Sequence, residues 1–329
     1  MMRLTKVEMR RLFSRRLTTM GLLGALVITG LLLFFAFDQA KPLSAAEVTS
    51  NRAQFDRAHQ DWVANGDQQM ADCLKAQSDA QKTDPKADLG CSQMEPKWES
   101  WGKPQAKFAE LMPSALMSGA YVLAAVAFLV GAGFVSAEFS SGSMANWLTF
   151  EPRRMRVYAS KLGAAGLGLF PVAVAMLGLL TAGVWLIVGH YASTAGTTAK
   201  VWGHLGEMGG RAVALTLVAA MTGAALGMLL RHTAAVIGVA VAYLILAEAV
   251  FGSALKAAQP WLLGSNVMGW LQHGTTYFID RCATDPQGNY TCQSVAKAIS
   301  FGHSTAYLGL LVVLVVGLAA LVFRRRDVS

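Results

Sequence analysis

Six long runs of apolar residues recur along this chain, and polar segments separate them. Each run falls within or just above the roughly 17–25 residues that an α-helix needs to cross the hydrocarbon core of a bilayer. None of the runs contains Lys or Arg, and Glu248 is the one carboxylate inside them. Backbone polar groups in lipid must be paired internally, and the alternation of a β-barrel is absent, so the pattern predicts an all-α, polytopic membrane protein. The six predicted spans are residues 17–37, 114–136, 162–189, 212–230, 233–251 and 306–323.

The amino-acid composition agrees with an integral membrane protein. Of the 329 residues, 54% are hydrophobic and 15% are charged, and the mean hydropathy is +0.41. A soluble domain usually carries about 25% charged residues. The first run follows a charged start, as in a signal peptide, but it is longer than the about 7–15 apolar residues of such a peptide. No small-residue cleavage site follows closely, so we expect this run to remain as an anchor.

The distribution of charge predicts the orientation. With the N-terminus inside, the cytoplasmic segments are 1–16, 137–161, 231–232 and 324–329, and they hold 14 of the 28 Lys and Arg residues but four of the 20 Asp and Glu residues. Basic residues favour the cytoplasmic side, so both termini are predicted to lie in the cytoplasm, in a multi-pass protein of the plasma membrane. The net charge of +8 therefore reports topology. No aromatic–basic patch indicates nucleic-acid binding.

The predicted outer segments are long. Residues 38–113 are expected to form a helical extracytoplasmic domain, because their first part, 45–81, lacks Pro and is rich in Ala, Gln and Asp. The outer loops 190–211 and 252–305 follow the third and fifth spans. Within the second of these loops, residues 261–271 contain two Trp residues and are predicted to lie as a helix in the outer interface.

All four cysteines fall in the outer segments. Even numbers of cysteines on an oxidising face suggest disulfides. Four cysteines allow three pairings, and the local pairs Cys73–Cys91 and Cys282–Cys292 are the simplest. Free thiols or a metal site are the alternatives. Zinc spacing such as CxxC is absent, so we expect no metal.

Two features inside the spans are candidates for packing or function. Gly223 and Gly227 form a GxxxG sequence, which lets helices approach closely. Glu248 lies near the outer end of the fifth span, where a carboxylate is costly unless it faces protein, water or headgroups. It is either a helix-end group that bonds a neighbouring segment or a pathway group that attracts cationic substrates.

The chain carries none of the common catalytic motifs. It has no GxxxxGK[ST] sequence, so it cannot hold ATP in a P-loop of its own. HExxH and GxSxG sequences are also absent. We therefore expect a protein that is not an enzyme and that binds no cofactor itself.

The most informative segment is the predicted cytoplasmic loop 137–161. An acid leaves the second span, a Gly-Ser turn and a short apolar helix follow, and a proline and basic residues lead back to the membrane. The short helix is interpreted as a contact element whose apolar anchors insert into a groove of a partner, with charged residues at the rim. The anchors are Met144, Trp147 and Leu148, the rim residues are Glu138 and Arg153 or Arg154, and the remaining loop residues of the pattern are Gly142, Ser143, Pro152 and Lys161. An ordinary basic hairpin that only sets topology is the alternative.

This loop resembles that of the permeases of type-2 ATP-binding-cassette exporters. Their loop reads Glu, Gly-Thr or Gly-Ser, a short hydrophobic helix, then Pro, a basic residue and Lys; here Ser143 stands where Thr is commoner. The family begins with an elbow-like amphipathic helix, which residues 1–16 match through Glu8-Met-Arg10-Arg11-Leu12-Phe13. It often ends in Phe-x-Arg-Arg-Asp, and here the end reads Phe323-Arg-Arg-Arg-Asp327. The six spans and the large first outer loop look like those of actinobacterial members.

The resemblance implies an exporter permease in a bacterial cytoplasmic membrane. Two such subunits, identical or homologous, would pair above two ATPase subunits, which bind ATP and Mg. The loop 137–161 would dock on the ATPase. Two alternatives stay open: a receptor or scaffold that uses residues 38–113 for binding, and a stand-alone channel or carrier.

Overall fold

The computed structural model describes residues 2–82, 87–284 and 290–325, so the end of the predicted tail 324–329 lies outside the described residues. Helices dominate these ranges. The first eight are α1 (Met2–Phe13), α2 (Arg16–Ala40), α3 (Ala45–Gln81), α4 (Trp98–Trp101), α5 (Phe108–Ser140), α6 (Ser143–Phe150), α7 (Arg154–Tyr191) and α8 (Ala199–Leu230). The elements that follow are α9 (Thr233–Tyr243), a π-helical segment (Leu244–Phe251), α10 (Gly252–Ala254), α11 (Leu263–Leu271), the strands β1 (Gly274–Thr284) and β2 (Tyr290–Ser300), and α12 (Phe301–Arg325). Two 3₁₀-helices, Cys91–Gln93 and Lys256–Trp261, lie between these elements.

Six helical segments in the described part of the chain are long and apolar enough to cross a membrane. They are Arg16–Ala40, Phe108–Ser140, Arg154–Tyr191, Ala199–Leu230, Thr233–Ala254 and Phe301–Arg325. Each contains one predicted span, which confirms a predominantly helical, multi-pass membrane protein. The 38-residue α7 rises about 57 Å at 1.5 Å per residue, well beyond a hydrocarbon core of about 30 Å. The helices therefore continue past the apolar runs from which they were predicted.

The centre of the bundle is the close pair α5 and α8. A Cβ atom added to Gly223 would lie 2.0 Å from the carbonyl oxygen of Phe128, and one added to Gly131 would lie 2.1 Å from that of Ala220. The same test at Gly227 gives 2.7 Å to the carbonyl oxygen of Ala132. These glycines bring the two backbones into direct contact, which is how small residues drive helix association in lipid.

The buried side chains form two clusters at opposite ends of the bundle. The first lies where α1, α6, the start of α7 and the end of α12 meet; Tyr158 and Phe323 face each other there at 6.2 Å. The second lies where the starts of α5 and α8 meet α11, with Phe108 packed on Trp185 and Trp202. We call these regions the α6 end and the α11 end.

Helix α3 projects from the chain between α2 and α5. Its 37 residues correspond to a length of about 55 Å. Ser44 and Glu47 form a reciprocal capping box at its start, and the hydrogen bonds from Ser44 lower the pKa of the Glu47 carboxyl. Phe55 packs edge-on against Trp98 and Trp101. The prediction of a helix over 45–81 is confirmed.

A two-stranded antiparallel hairpin was not predicted, and it corrects the all-α assignment within 252–305. Strand β1 pairs with β2 from Gly274 opposite Ser300 to Thr284 opposite Tyr290. The β1 sequence does not alternate polar and apolar residues, but it contains Thr, Tyr, Phe and Ile, which suit strands. His273 and Gly274 both have positive φ, of 63° and 125°, where the chain leaves α11. A helix is present within the predicted range 261–271, just before the hairpin, as α11.

Candidate functional site: α6 and the ion cluster beneath it

Local sequence determines where α6 begins and ends. Gly142 adopts a left-handed conformation with φ of 67°, which a residue with a side chain rarely adopts. The helix then runs for eight residues. Pro152 disfavours a helical conformation in the residue before it, and Glu151 is accordingly extended. The result is a short helix between two sharp changes of direction.

One face of α6 packs on the bundle and the other is open. Met144 is fully buried. Trp147 and Leu148 are half-buried against the same core cluster. Phe150, at the end of the helix, is 84% exposed, together with the neighbouring Thr149. The exposed apolar group of α6 is therefore Phe150.

A buried ion cluster lies beneath α6. The Nζ atom of Lys161 is 3.1 Å from both carboxylate oxygens of Glu8 and donates hydrogen bonds to them. It is also 2.5 Å from Oε2 of Glu138, an ion pair whose angles do not meet hydrogen-bond geometry. The side chains of Lys161 and Glu8 are 0% exposed and that of Glu138 is 1% exposed. These three charges come from α1, α5 and α7.

Two arginines of the N-terminal region complete the cluster. Arg15 Nη2 donates a hydrogen bond of 3.0 Å to Oε1 of Glu138. Arg11 Nη1 lies 3.8 Å from one oxygen of each carboxylate, an ion-pair distance that is too long for a hydrogen bond. The guanidinium of Arg11 also lies 5.0 Å from the ring centroid of Trp147 on α6. The cluster thus joins α1, α5, α6 and α7 at one place.

The structure changes the role of three predicted interface residues. Glu138, Lys161 and Met144 were expected at a partner contact, but all three are buried inside this chain. These side chains have partners within the chain itself. Glu138 and Lys161 pair with each other and with residues of α1, and Met144 packs into the core below α6. Gly142, Pro152 and Arg153 are exposed, whereas Ser143 and Arg154 are half-buried.

Sequence reasoning missed Phe150 and the pairing partners of Glu138. Glu8, Arg11 and Arg15 recur at intervals of three and four residues, which places them on one face of a helical segment. That spacing predicts a charged helix face whose side chains pair with charged residues elsewhere in the chain. Glu8 and Lys161 are 153 positions apart, so their contact has no local signature.

Glu248 lies in the π-helical segment that follows α9. Its Oε1 atom accepts hydrogen bonds from the Tyr243 hydroxyl and the backbone N–H of Gly264, each at 3.0 Å. Gly264 is in the first turn of α11, and a Cβ atom there would lie 2.9 Å from Glu248 Oε2. These contacts are those of a carboxylate that bonds a neighbouring segment, one of the two interpretations of Glu248.

Both disulfides join the locally adjacent cysteines. Cys73 of α3 pairs with Cys91. Cys282 pairs with Cys292, which lies directly opposite it in the hairpin. The first bridge connects the distal part of α3 to the chain that returns to α5, and the second lies across β1 and β2.

Fold and site together define a multi-pass helical membrane protein with a short helix that packs at one end of the bundle above a buried ion cluster. No protein-family model, curated protein or solved structure matches the chain. The functional assignment therefore depends on the geometry of the α6 end.

Proposed function

We propose that this chain is the transmembrane permease subunit of a type-2 ATP-binding-cassette exporter. It would move a substrate across the cytoplasmic membrane of a bacterium with ATP hydrolysed by a separate ATPase subunit. Two permease subunits, identical or homologous, would sit above two ATPase subunits. The observation that carries the proposal is an α6 that exposes the apolar side chain of Phe150 and packs on the bundle through buried Met144, directly above a buried ion cluster that Arg11 links to Trp147.

The shape of α6 supports a docking role. A short helix that presents an apolar group to a groove is a recurrent mode of recognition. Phe150 is followed by the exposed Arg153, which supplies a charged group at the rim. Charged rim residues favour correct orientation and fast association more than affinity.

The ion cluster supports a mechanical role. A displacement of α6 by a partner would be transmitted to α1, α5 and α7, because Arg11, Glu138 and Lys161 contact one another below it. Packed interfaces respond to small shifts by moving as bodies rather than by deforming continuously. The motion would therefore reach three helices of the bundle at once.

The charge distribution supports a cytoplasmic α6 end. Arg11, Arg15 and Arg231 lie there, the last with its guanidinium 5.3 Å from the ring of Phe139. Basic residues favour the cytoplasmic side. The disulfides lie in segments that follow the ends of α2 and α9 remote from α6. These segments would face the oxidising compartment. ATP and Mg would be bound by the partner on the cytoplasmic side.

Affinity purification of the full chain from its native membranes in mild detergent tests the proposal. We expect an ATPase with a P-loop sequence to co-purify at one copy per copy of this chain. A complex that contains no P-loop protein, under conditions in which the chain stays monodisperse, would contradict the proposal. It would favour a receptor or scaffold function for the α3 region instead.

A further inference from the structure

Four large apolar side chains stay uncovered at the α11 end, and we call them the apolar patch. They are Phe251, Leu255, Trp261 and Phe278, and each is more than half exposed. Phe251 ends the π-helical segment, Leu255 and Trp261 lie at the two ends of the 3₁₀-helix that follows it, and Phe278 belongs to β1. Exposed apolar groups that lie close together mark contacts with a membrane or another molecule.

Two membrane-spanning segments end at the level of this patch. Thr233–Ala254 has 22 residues, a length that crosses the hydrocarbon core, and Leu255 follows it directly. In α12, Phe301 is separated from Arg324 by a rise of about 35 Å, slightly more than the core thickness of about 30 Å. Ala254 and Phe301 therefore both lie near the boundary of the core at the α11 end.

Contacts with the first turns of α12 fix the level of Trp261. Its ring packs edge-on against His303, with 5.6 Å between the ring centroids. Its carbonyl oxygen accepts a hydrogen bond of 2.8 Å from the Tyr307 hydroxyl. Trp261 thus lies beside the start of α12, at the depth where tryptophan is enriched in membrane proteins.

The β1–β2 hairpin is tied to the ends of the spans at two separate places. At its base, Gly274 follows α11 and Ser300 directly precedes α12. Asp280 lies six residues along β1 from Gly274, a distance of about 20 Å. Asp280 forms an ion pair with Lys256, which is two residues beyond Ala254. Because both attachment points lie near the same boundary, the hairpin runs along the membrane surface and does not stand upright from it.

The face of the hairpin that carries Phe278 is turned toward the bilayer. Phe278 pairs with Ala296 and lies on the same face as Asp280, whose ion pair with Lys256 directs this face to the end of the span. Ala296 is exposed together with Phe278. On the opposite face, Ile299 is buried.

We propose that the hairpin lies on the bilayer and that the apolar patch inserts into the headgroup region of the leaflet at the α11 end. The partner is phospholipid, because the patch continues the exposed surface of a membrane span, on which Val250 is also half exposed. Aromatic rings such as those of Trp261 and Phe278 suit this region, where apolar and polar groups meet. This surface is independent of the proposed transport function, because it contains no residue of α6.

Spin labels on the two faces of the hairpin test the inference. All four native cysteines are in disulfides, so a thiol-specific label reacts with an introduced cysteine. Phe278→Cys places the label on the proposed lipid face. Lys297→Cys is the matched control, because Lys297 is exposed and pairs with Tyr277 on the opposite face. The full chain, reconstituted in phosphatidylcholine vesicles, is then exposed to oxygen, which concentrates in the bilayer, and to a water-soluble nickel complex.

We expect the ratio of oxygen to nickel accessibility to be several-fold higher at position 278 than at position 297. Equal ratios would show that both faces meet the same solvent and would overturn the proposal. A higher ratio at position 297 would also overturn it, because the hairpin would then present its other face to the lipid.

Tryptophan fluorescence tests the same surface without a label. Phospholipids with bromine on the acyl chain close to the headgroup quench tryptophan side chains that lie at that depth. The chain has eight tryptophans, and Trp261→Phe should lower the quenched share of the total fluorescence. An unchanged quenched share in this variant would contradict the insertion of Trp261.

Discussion

Lys161 is the residue on which the α6 end depends most. Its ammonium contacts two carboxylates from two other helices, and it is completely buried. A buried ion pair contributes little to the free energy of unfolding when it is compared with apolar residues in place of both partners. Removal of one partner alone, however, leaves an uncompensated buried charge. In this cluster, loss of Lys161 would leave Glu8 with Arg11 at 3.8 Å as its remaining ion-pair contact within the described part of the chain.

Lys161→Met is therefore predicted to destabilise the protein by about 3–5 kcal/mol. Lys6→Met is the matched control, because it removes the same positive charge at an exposed position of α1. Substitutions at exposed positions usually change the free energy of unfolding by less than about 0.5 kcal/mol. Thermal unfolding in detergent measures both. If the two variants unfold at the same temperature, the buried cluster does not have the structural role assigned to it.

At the scale of single elements, α5 and α8 form the structural centre. The carbonyl oxygen of Phe128 occupies the space where a side chain at Gly223 would lie. In contrast, a Cβ atom at Gly238 of α9 meets nothing within 4 Å. Ala gains about 1 kcal/mol of helix propensity over Gly at either position. The two glycines therefore differ in packing and not in intrinsic preference.

Gly223→Ala should destabilise the bundle, because the methyl group can be placed only by separating α5 from α8. Overpacking of this kind typically costs about 1–3 kcal/mol. Gly238→Ala should leave stability unchanged or slightly raised. The monodisperse fraction after detergent extraction and heating reports the difference. A Gly223→Ala protein as heat-resistant as Gly238→Ala would contradict the close backbone contact.

Prediction from sequence succeeded where the signal is local. The length of each apolar run determined the spans, and the separation of Cys73 from Cys91 and of Cys282 from Cys292 made the local disulfides the simplest choice. The hairpin was not predicted because residues 274–284 lack the alternation of polar and apolar residues by which a strand is recognised.

The α6 end shows why the rest could not be predicted. Met144 and Trp147 look equivalent in the sequence, yet one is buried and the other half-buried. Burial of Glu138 depends on Lys161 of α7 and on Arg15, which lies between α1 and α2. Such contacts depend on how the helices pack, so they cannot be predicted from the sequence around Glu138.

At the scale of the whole molecule, the two ends of the bundle have different properties. The α6 end contains buried ion pairs and a short helix with an exposed Phe150. The α11 end contains an aromatic cluster and the hairpin. This asymmetry fits the proposed function, in which a partner would contact the α6 end.

The number of ATPase copies retained per copy of this chain, after purification in mild detergent, tests the central claim most directly. Val63 of α3 is the matched control for Phe150, because it is 72% exposed and lies outside the bundle, whereas Phe150 is 84% exposed. Both Phe150→Ser and Val63→Ser should unfold at the wild-type temperature. The account predicts wild-type retention for Val63→Ser and retention about tenfold or more weaker for Phe150→Ser, the effect of losing an aromatic anchor. Equal ATPase retention by the two variants would contradict it.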